Sequence, residues 1–536
     1  MRKRVVVVCA ATQLLAAATG GAQIREVEVT GGRVSGAVAN GIAAFKGIPF
    51  AAPPVGDLRW KSPQPVNSWS GVKAATTFAP SCVQDVSIGK LFGAPEATGE
   101  DCLYLNVWTP AKAARERRPV MVWIYGGAFS SGMTSIPAYD GAPLAGKGVV
   151  LVSIAYRVGP FGFLAHPELT KERASPPLGA GGKGSGNYGL QDQIAALRWV
   201  KDNIAKFGGD PNAVTIFGES AGGMSVSMLA ASPAANGLFH RAISQSGGHF
   251  GPARTGTIGG ATSPPLKVAE GIGQAFLKRL GAADIQSARQ VPAEKIQAAM
   301  GPGLQGAFWP VFDGDVLPGD QYELYQAKRF NDTPVLIGSN SDEGITFSPG
   351  ITSAAVLEKS LRAGYGEHAE KLLAVYPHAT DAEASQSMRN VMRDTTFGWP
   401  AWAWAMLQSK HGSGKAFVYY FDHRTSLSRN GAGHAAEIPY VFRTLGMFSG
   451  PAALVGKPQP DDHAMSELMS SYFVNFARTG DPNGPGLPKW PAFTESSQTV
   501  MHFDAKSSAR PLPNMAQIKA MDAYFAWRRE EAKARK

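Results

Sequence analysis

The sequence predicts an α/β fold with a mostly parallel central sheet, and three observations carry that prediction. Short apolar, β-branched runs recur at Val120–Tyr125, Val149–Ala155, Val214–Phe217, Val335–Gly338 and Phe417–Phe421, and none alternates polar with apolar residues. Such runs read as strands buried on both faces, as in a parallel sheet covered by helices. Helix-periodic segments fall between and after them. Ile194, Leu197, Val200, Ile204 and Phe207 recur at helical spacing before Gly208-Gly209, and Met465, Leu468, Met469, Tyr472, Phe473 and Phe476 mark one side of a helix over 465–478. Finally, the run Val214–Phe217 leads straight into Gly218-Glu219-Ser220-Ala221-Gly222, a strand that turns sharply into a helix.

At the N-terminus, Arg2, Lys3 and Arg4 precede an apolar stretch from Val5 to about Ala18, and Gly20-Gly21-Ala22 offers small residues for cleavage. Residues 1–22 therefore read as a signal peptide, too short in its apolar part for a membrane anchor, and residues 23–536 as a single domain. No later segment reads as a transmembrane helix. Secretion or a periplasmic location follows as the expectation.

Composition narrows the class. The chain is 44% hydrophobic and 18% charged, with 62 Gly and 38 Pro, which is globular and loop-rich. Its formal charge of +10 falls to +7 once residues 1–22, with one Lys and two Arg, are removed. The remaining cations are scattered, with a cluster only at Lys533, Arg535 and Lys536, so a nucleic-acid partner is not expected. Attraction to an anionic substrate is compatible with this balance. Cys9 leaves with the signal, and Cys82 and Cys102 remain as an even pair in an exported chain. They are expected to form a disulfide enclosing 19 residues, worth roughly 3 kcal/mol in loop-closure entropy.

Between the strands, Val27 to Val38 alternates and suggests an N-terminal hairpin. Residues 255–330 and 350–410 are richer in helical patterning and read as helical insertions that cap the sheet. Gly179–Gly186 lacks the Gly-Lys-Ser/Thr ending of a phosphate loop and reads as a flexible surface loop.

The chemistry centres on Ser220. In Gly218-x-Ser220-x-Gly222 the flanking glycines relieve crowding at a turn that holds the serine in strained backbone geometry above the sheet, a nucleophile elbow. A serine hydroxyl needs a base to take its proton, and the base needs a carboxylate to orient it. Among His411, His423, His434 and His463, position favours His434, in a small-residue loop after the strand Phe417–Phe421. Asp342 and Glu343 both follow the strand Val335–Gly338, and position does not choose between them. An oxyanion hole needs backbone N–H donors. Ala221 should supply one, and the Gly-rich turn Tyr125-Gly126-Gly127-Ala128-Phe129 the others. No metal or organic cofactor is called for.

With these residues in view, the chain resembles the type-B carboxylesterases, the family of cholinesterases and bacterial carboxylesterases, from about residue 26 to 525. The resemblance rests on Phe45-Lys46-Gly47-Ile48-Pro49-Phe50-Ala51 with Pro53-Pro54, on Glu100-Asp101-Cys102-Leu103-Tyr104-Leu105-Asn106-Val107, and on the Tyr-Gly-Gly turn. It rests further on Asn187-Tyr188-Gly189-Leu190-Gln191-Asp192-Gln193, Phe207-Gly208-Gly209-Asp210-Pro211, Gly218–Gly222, and Phe476-Ala477-Arg478 with Gly480-Asp481-Pro482-Asn483. It implies an α/β-hydrolase fold and a secreted serine esterase with the triad Ser220, Glu343 and His434, choosing Glu343 over Asp342. It implies oxyanion donors at Gly127, Ala128 and Ala221, with Ala128 standing where many relatives have glycine. It also implies the Cys82–Cys102 disulfide, ion pairs Arg59–Glu100 and Arg157–Asp192, and Ser246 and Glu219 beside the triad.

Departures from the family pattern bear on substrate. Residues 83–101 contain no tryptophan to stack on a choline cation, the aromatic pair after the acid is reduced to Thr346 and Phe347, and Leu304–Gly306 is not aromatic. Choline esters are therefore not expected, and the acyl pocket should be wide. The expected partner is a small-molecule ester, anionic or bulky, of the kind represented by the tricarballylate esters of fumonisins. The enzyme is expected to be a monomer or weak homo-oligomer. A non-catalytic binding or adhesion protein on the same fold, and an amidase or lactonase using the same residues, are the alternatives.

Overall fold

A computed structural model describes residues 23–174, 182–253, 262–301, 304, 306–348, 350–425, 430–447 and 457–534. The expected signal peptide, residues 1–22, and the start of the Gly179–Gly186 loop lie outside the described residues. The apolar runs form strands of one eleven-stranded sheet. In chain order these are β1 (Ala37–Ala39), β2 (Ile42–Pro49), β3 (Tyr104–Thr109), β4 (Arg118–Ile124), β5 (Val150–Ile154), β6 (Gly209–Glu219), β7 (Arg241–Gln245), β8 (Val335–Asn340), β9 (Ala416–Phe421), β10 (Thr499–Phe503) and β11 (Ser508–Pro511).

Their spatial order is β11-β10-β9-β8-β7-β6-β4-β5-β3-β2-β1. Every pairing from β5 through to β10 is parallel, and antiparallel strands flank the block on both sides. Residues of β4, β5, β8 and β9 are buried on both faces, which is why their sequences do not alternate. The alternating N-terminal segment forms a hairpin, Glu26–Val29 with Gly32–Ser35, in a small separate sheet.

Helices cover the sheet. The first periodic segment is α1 (Tyr188–Asn203), closed by a 3-10 turn and by Gly208 at φ 81°. The residues after β6 form α2 (Ala221–Ala231), wholly buried. The segments 255–330 and 350–410 hold further helices, among them Leu266–Leu280, Ala354–Tyr365, Asp381–Arg393 and α3 (Trp399–His411), the last two joined by a π-helical turn over Asp394–Gly398. The second periodic segment is α4 (Pro460–Thr479), and the chain ends in α5 (Met515–Ala534).

Cys82 and Cys102 form a disulfide. Two ion pairs, the first half-buried and the second buried, are in place: Arg59 Nε donates to Glu100 at 2.6 Å, and Arg157 Nε and a terminal nitrogen donate to the two oxygens of Asp192 at 2.8 and 2.7 Å. Both guanidiniums meet a carboxylate edge-on, the geometry that offsets the cost of removing two charges from water.

Candidate active site

The site is built where parallel strands end level with one another. Gly218 of β6 pairs with Ile124 of β4, so the two chains leave the sheet side by side. The first turns into α2 through Ser220, and the second into the Gly126-Gly127 turn. Two glycines allow this approach. A Cβ on Gly222 would stand 2.0 Å from the Ile124 carbonyl oxygen, and one on Gly126 would stand 2.7 Å from the Glu219 carbonyl and 2.9 Å from Ser220 Cβ. Both distances are closer than carbon tolerates, so the elbow and the turn interlock only without side chains there.

Ser220 has φ 56° and ψ −125°, held by its N–H on the Gln245 carbonyl at 2.9 Å and by its own carbonyl accepting from Met224 at 2.8 Å. Ala128 (φ 52°), Phe129 (φ 57°), Ser246 (φ 43°) and Ala435 (φ 66°) are also left-handed. Five of the ten non-glycine residues with positive φ among the described residues thus lie in these turns, so the fold's backbone strain is concentrated here. No backbone group among the described residues accepts the N–H of Gly127, Ala128 or Ala221, which leaves these donors free for a ligand.

His434 Nδ1 lies 2.6 Å from Glu343 Oε2. Glu343 is fully buried, and its other oxygen accepts from Ser246 Oγ at 2.5 Å and from the Asn340 N–H at 2.7 Å. Asp342, the adjacent carboxylate, turns the other way and accepts from Arg389 Nε at 3.2 Å. On its far side His434 Nε2 faces Glu219 Oε1 at 3.1 Å, and no hydrogen bond joins His434 to Ser220 among the described residues. The structure thus brings together Ser220, Glu219, Ser246, Glu343 and His434 with the Gly127 turn, and leaves the His434–Ser220 hydrogen bond unmade. Such bonds commonly tighten only when a substrate is bound.

Three further residues belong to the cluster and escaped sequence reasoning. Glu437 is fully buried and accepts from Asn340 Nδ2 at 2.6 Å and Gln245 Nε2 at 3.0 Å. Asn340 Nδ2 also donates to the Gly433 carbonyl at 2.8 Å, tying the histidine loop to the end of β8. Phe397, on the π-helical turn, stacks on the His434 ring with centroids 4.6 Å apart, while Phe347 approaches the same ring at 5.0 Å. Only Glu437 carried a signal, a carboxylate three residues beyond His434.

Three buried carboxyls around one imidazole cannot all be ionised at little cost. Burial pushes Glu219 up to about 8, with Glu437 and Glu343 adding to the rise against the pull of His434. Burial alone would push His434 down, but the charges of Glu219 and Glu343 and the Glu343 hydrogen bond raise it to about 9. Burial also raises Glu437. Each partner of the Glu219–His434 pair thus holds its proton more tightly than it would alone in water.

Ser220, His434 and the Gly127 turn open onto a cavity of about 1460 Å³. Phe92, Met133, Ile136, Phe347 and Leu445 line it, and so do His423, Arg424, Lys506 and Arg510. Leu304 and Gly306, in the segment expected to shape an acyl pocket, do not line it. His423, rejected as the base on position, binds Asp462 through Nε2 at 2.8 Å.

The sequence matches the model of the carboxylesterase family over residues 23–522. It is 37% identical over 480 residues to the fumonisin B1 esterase of Sphingopyxis macrogoltabida, covering 89% of this chain and 85% of that one. It is 36% identical over 487 residues to the para-nitrobenzyl esterase of Bacillus subtilis (strain 168), covering 89% and 94%. Among solved structures, a carboxylesterase of Geobacillus stearothermophilus superposes with a TM-score of 0.79 at 35% identity, covering 93% of this chain and all of that one.

Proposed function

The chain belongs to the carboxylesterase family and is a carboxylic ester hydrolase with an α/β-hydrolase fold, and from that premise we propose that Ser220 is the nucleophile, His434 the general base and acid, and Glu343 the residue that orients His434. The observation that carries this reading is Ser220 at φ 56°, pinned at the level end of two strands, with the buried His434–Glu343 pair beside it. His434 Nε2 takes the Ser220 proton as Oγ attacks the ester carbonyl. The N–H groups of Gly127, Ala128 and Ala221 receive the negative charge that develops on the carbonyl oxygen. Protonated His434 then gives its proton to the departing alcohol, leaving an acyl-serine. Water, deprotonated by His434, attacks the acyl carbon and releases the acid and free Ser220.

Glu343 accepts from Nδ1 throughout, and Ser246 and Asn340 hold its second oxygen so that the carboxylate cannot rotate away. The substrate is a bulky or anionic ester, the class that includes fumonisin-type tricarballylate esters. The size of the cavity, the basic charge of the chain and the likeness to a fumonisin B1 esterase support this. Secretion or periplasmic residence, with removal of residues 1–22, fits the disulfide, and no helix among the described residues is long and apolar enough to cross a membrane.

The test is hydrolysis of p-nitrophenyl butyrate by the wild type and by Ser220→Ala. The variant should lose turnover, and a radiolabelled organophosphate should modify Ser220 alone. Wild-type rates in Ser220→Ala, or labelling at another residue, would overturn the assignment.

A further inference from the structure

The cavity is lined by both apolar and charged side chains. Ser220 follows β6, while Arg424 follows β9 and Lys506 follows β10. Four strand spacings separate β6 from β10 in the sheet, roughly 19 Å at about 4.8 Å each. The cavity's lining includes apolar side chains, among them Phe92, Met133, Ile136, Phe347, Met465 and Leu468. It also carries Arg424, Lys457, Lys506 and Arg510, together with Asp422, Asp461, Asp462 and Asp504.

The acids there are mostly spoken for. Asp422 accepts from Arg424 at 3.1 Å. Asp504 pairs with Arg510 and accepts the Lys506 N–H at 3.0 Å. Asp462 accepts from Tyr440 Oη at 2.7 Å and the Gln459 N–H at 2.8 Å, and lies against His423 Nε2. Among the described residues, the ammonium groups of Lys457 and Lys506 have no ion pair or hydrogen bond, and Asp461 is the one carboxylate on this rim in the same position. Arg510 has guanidinium donors beyond the one on Asp504. The two unpaired ammonium groups therefore outnumber the one unpaired carboxylate, and a ligand that completes this surface brings negative charge of its own.

We propose that the part of the cavity around Lys506, which follows β10, and Arg510 on β11 is a carboxylate subsite that selects esters carrying an anionic group remote from the scissile bond. This rests on the reading of Ser220 as the nucleophile. The apolar side chains of the lining suit a hydrocarbon body, so the favoured substrate is an amphiphile: ester at Ser220, apolar chain, carboxylate at the β10 rim. Removing one charge-assisted hydrogen bond to such a carboxylate weakens binding about tenfold or more.

The experiment uses p-nitrophenyl monoesters of linear α,ω-dicarboxylic acids of increasing length, each paired with its ω-methyl ester, and reads the ratio of kcat/KM within each pair. In the wild type the ratio should rise with chain length and then peak, and should fall as salt is added. Lys506→Ala with Arg510→Ala should lower the peak ratio about tenfold or more, and Lys506→Arg should largely keep it. A wild-type ratio that is flat with length, or the same peak in the double variant, overturns the subsite and leaves the esterase reading standing. Full activity of Ser220→Ala on the neutral partners would overturn the esterase reading itself.

Discussion

Replacing Glu219 by Gln should move the acid limb of the pH–rate profile to lower pH by at least about one unit. The reasoning starts from the 3.1 Å separation between His434 Nε2 and Glu219 Oε1. Two unit charges at that distance attract by about 1.3 kcal/mol in a water-like dielectric and about 5 kcal/mol at an effective dielectric near 20. At about 1.4 kcal/mol per pH unit, this is one unit at the lower limit and about four at the upper. The sign follows from the roles. As the proposed base, His434 would work only when neutral, and the Glu219 charge favours the imidazolium, so removing that charge lowers the pH at which the base becomes available. In the wild type, the acid limb of kcat/KM should therefore lie well above the ordinary histidine value of about 6.5. Hydrolysis of a neutral ester followed by pH-stat across the range, with thermal melts to verify folding, gives both profiles. An acid limb that stays in place in Glu219→Gln, or moves to higher pH, would refute the coupling.

Three other outcomes follow from the same geometry. Glu343→Gln should lower kcat by about a thousandfold or more, because it loses the carboxylate that orients His434, whereas Asp342→Asn should change kcat little, since Asp342 faces Arg389. Ala128→Gly should keep turnover, the donor being a backbone N–H at φ 52°; Ala128→Pro, which lacks that N–H and cannot adopt that φ, should lower kcat by about a hundredfold or more on the same neutral ester. Cys82→Ser with Cys102→Ser, a pair separated by 20 residues, should reduce unfolding free energy by about 3 kcal/mol in a urea titration and leave the slope of the pH profile alone.

What the sequence made legible was the part of the molecule with local signatures. The strands of the parallel block are short apolar runs because both faces are covered, and the elbow announces itself because its glycines sit within two residues of Ser220. The choice between Asp342 and Glu343 was out of reach of position, since neighbouring residues in a tight turn point in opposite directions and only the packing shows which enters the core. Phe397 was hidden for a related reason: the π-helical turn shifts helical periodicity by one residue, so the ring on His434 falls off any regular stripe. Glu437 and Asn340 are polar residues near strand and helix ends, which in a sequence read as solvated. The rim at Lys506 and Arg510 likewise looks like ordinary surface until β9 and β10 are known to be neighbours.

The order of strands in the sheet has a consequence for how the enzyme comes into being. The cluster on His434 draws on Gly126 at one extreme and Glu437 at the other, and its members leave β4, β6, β7 and β8 and the loop beyond β9, so most of the chain must be threaded before the geometry exists. Parallel pairings of this separation close slowly, because loop entropy is spent before the pairing compensates it. Turnover is thus acquired on refolding only after these distant strands have paired. Its recovery times the completion of the block from β4 to β9, and no N-terminal fragment that stops short of His434 can report it.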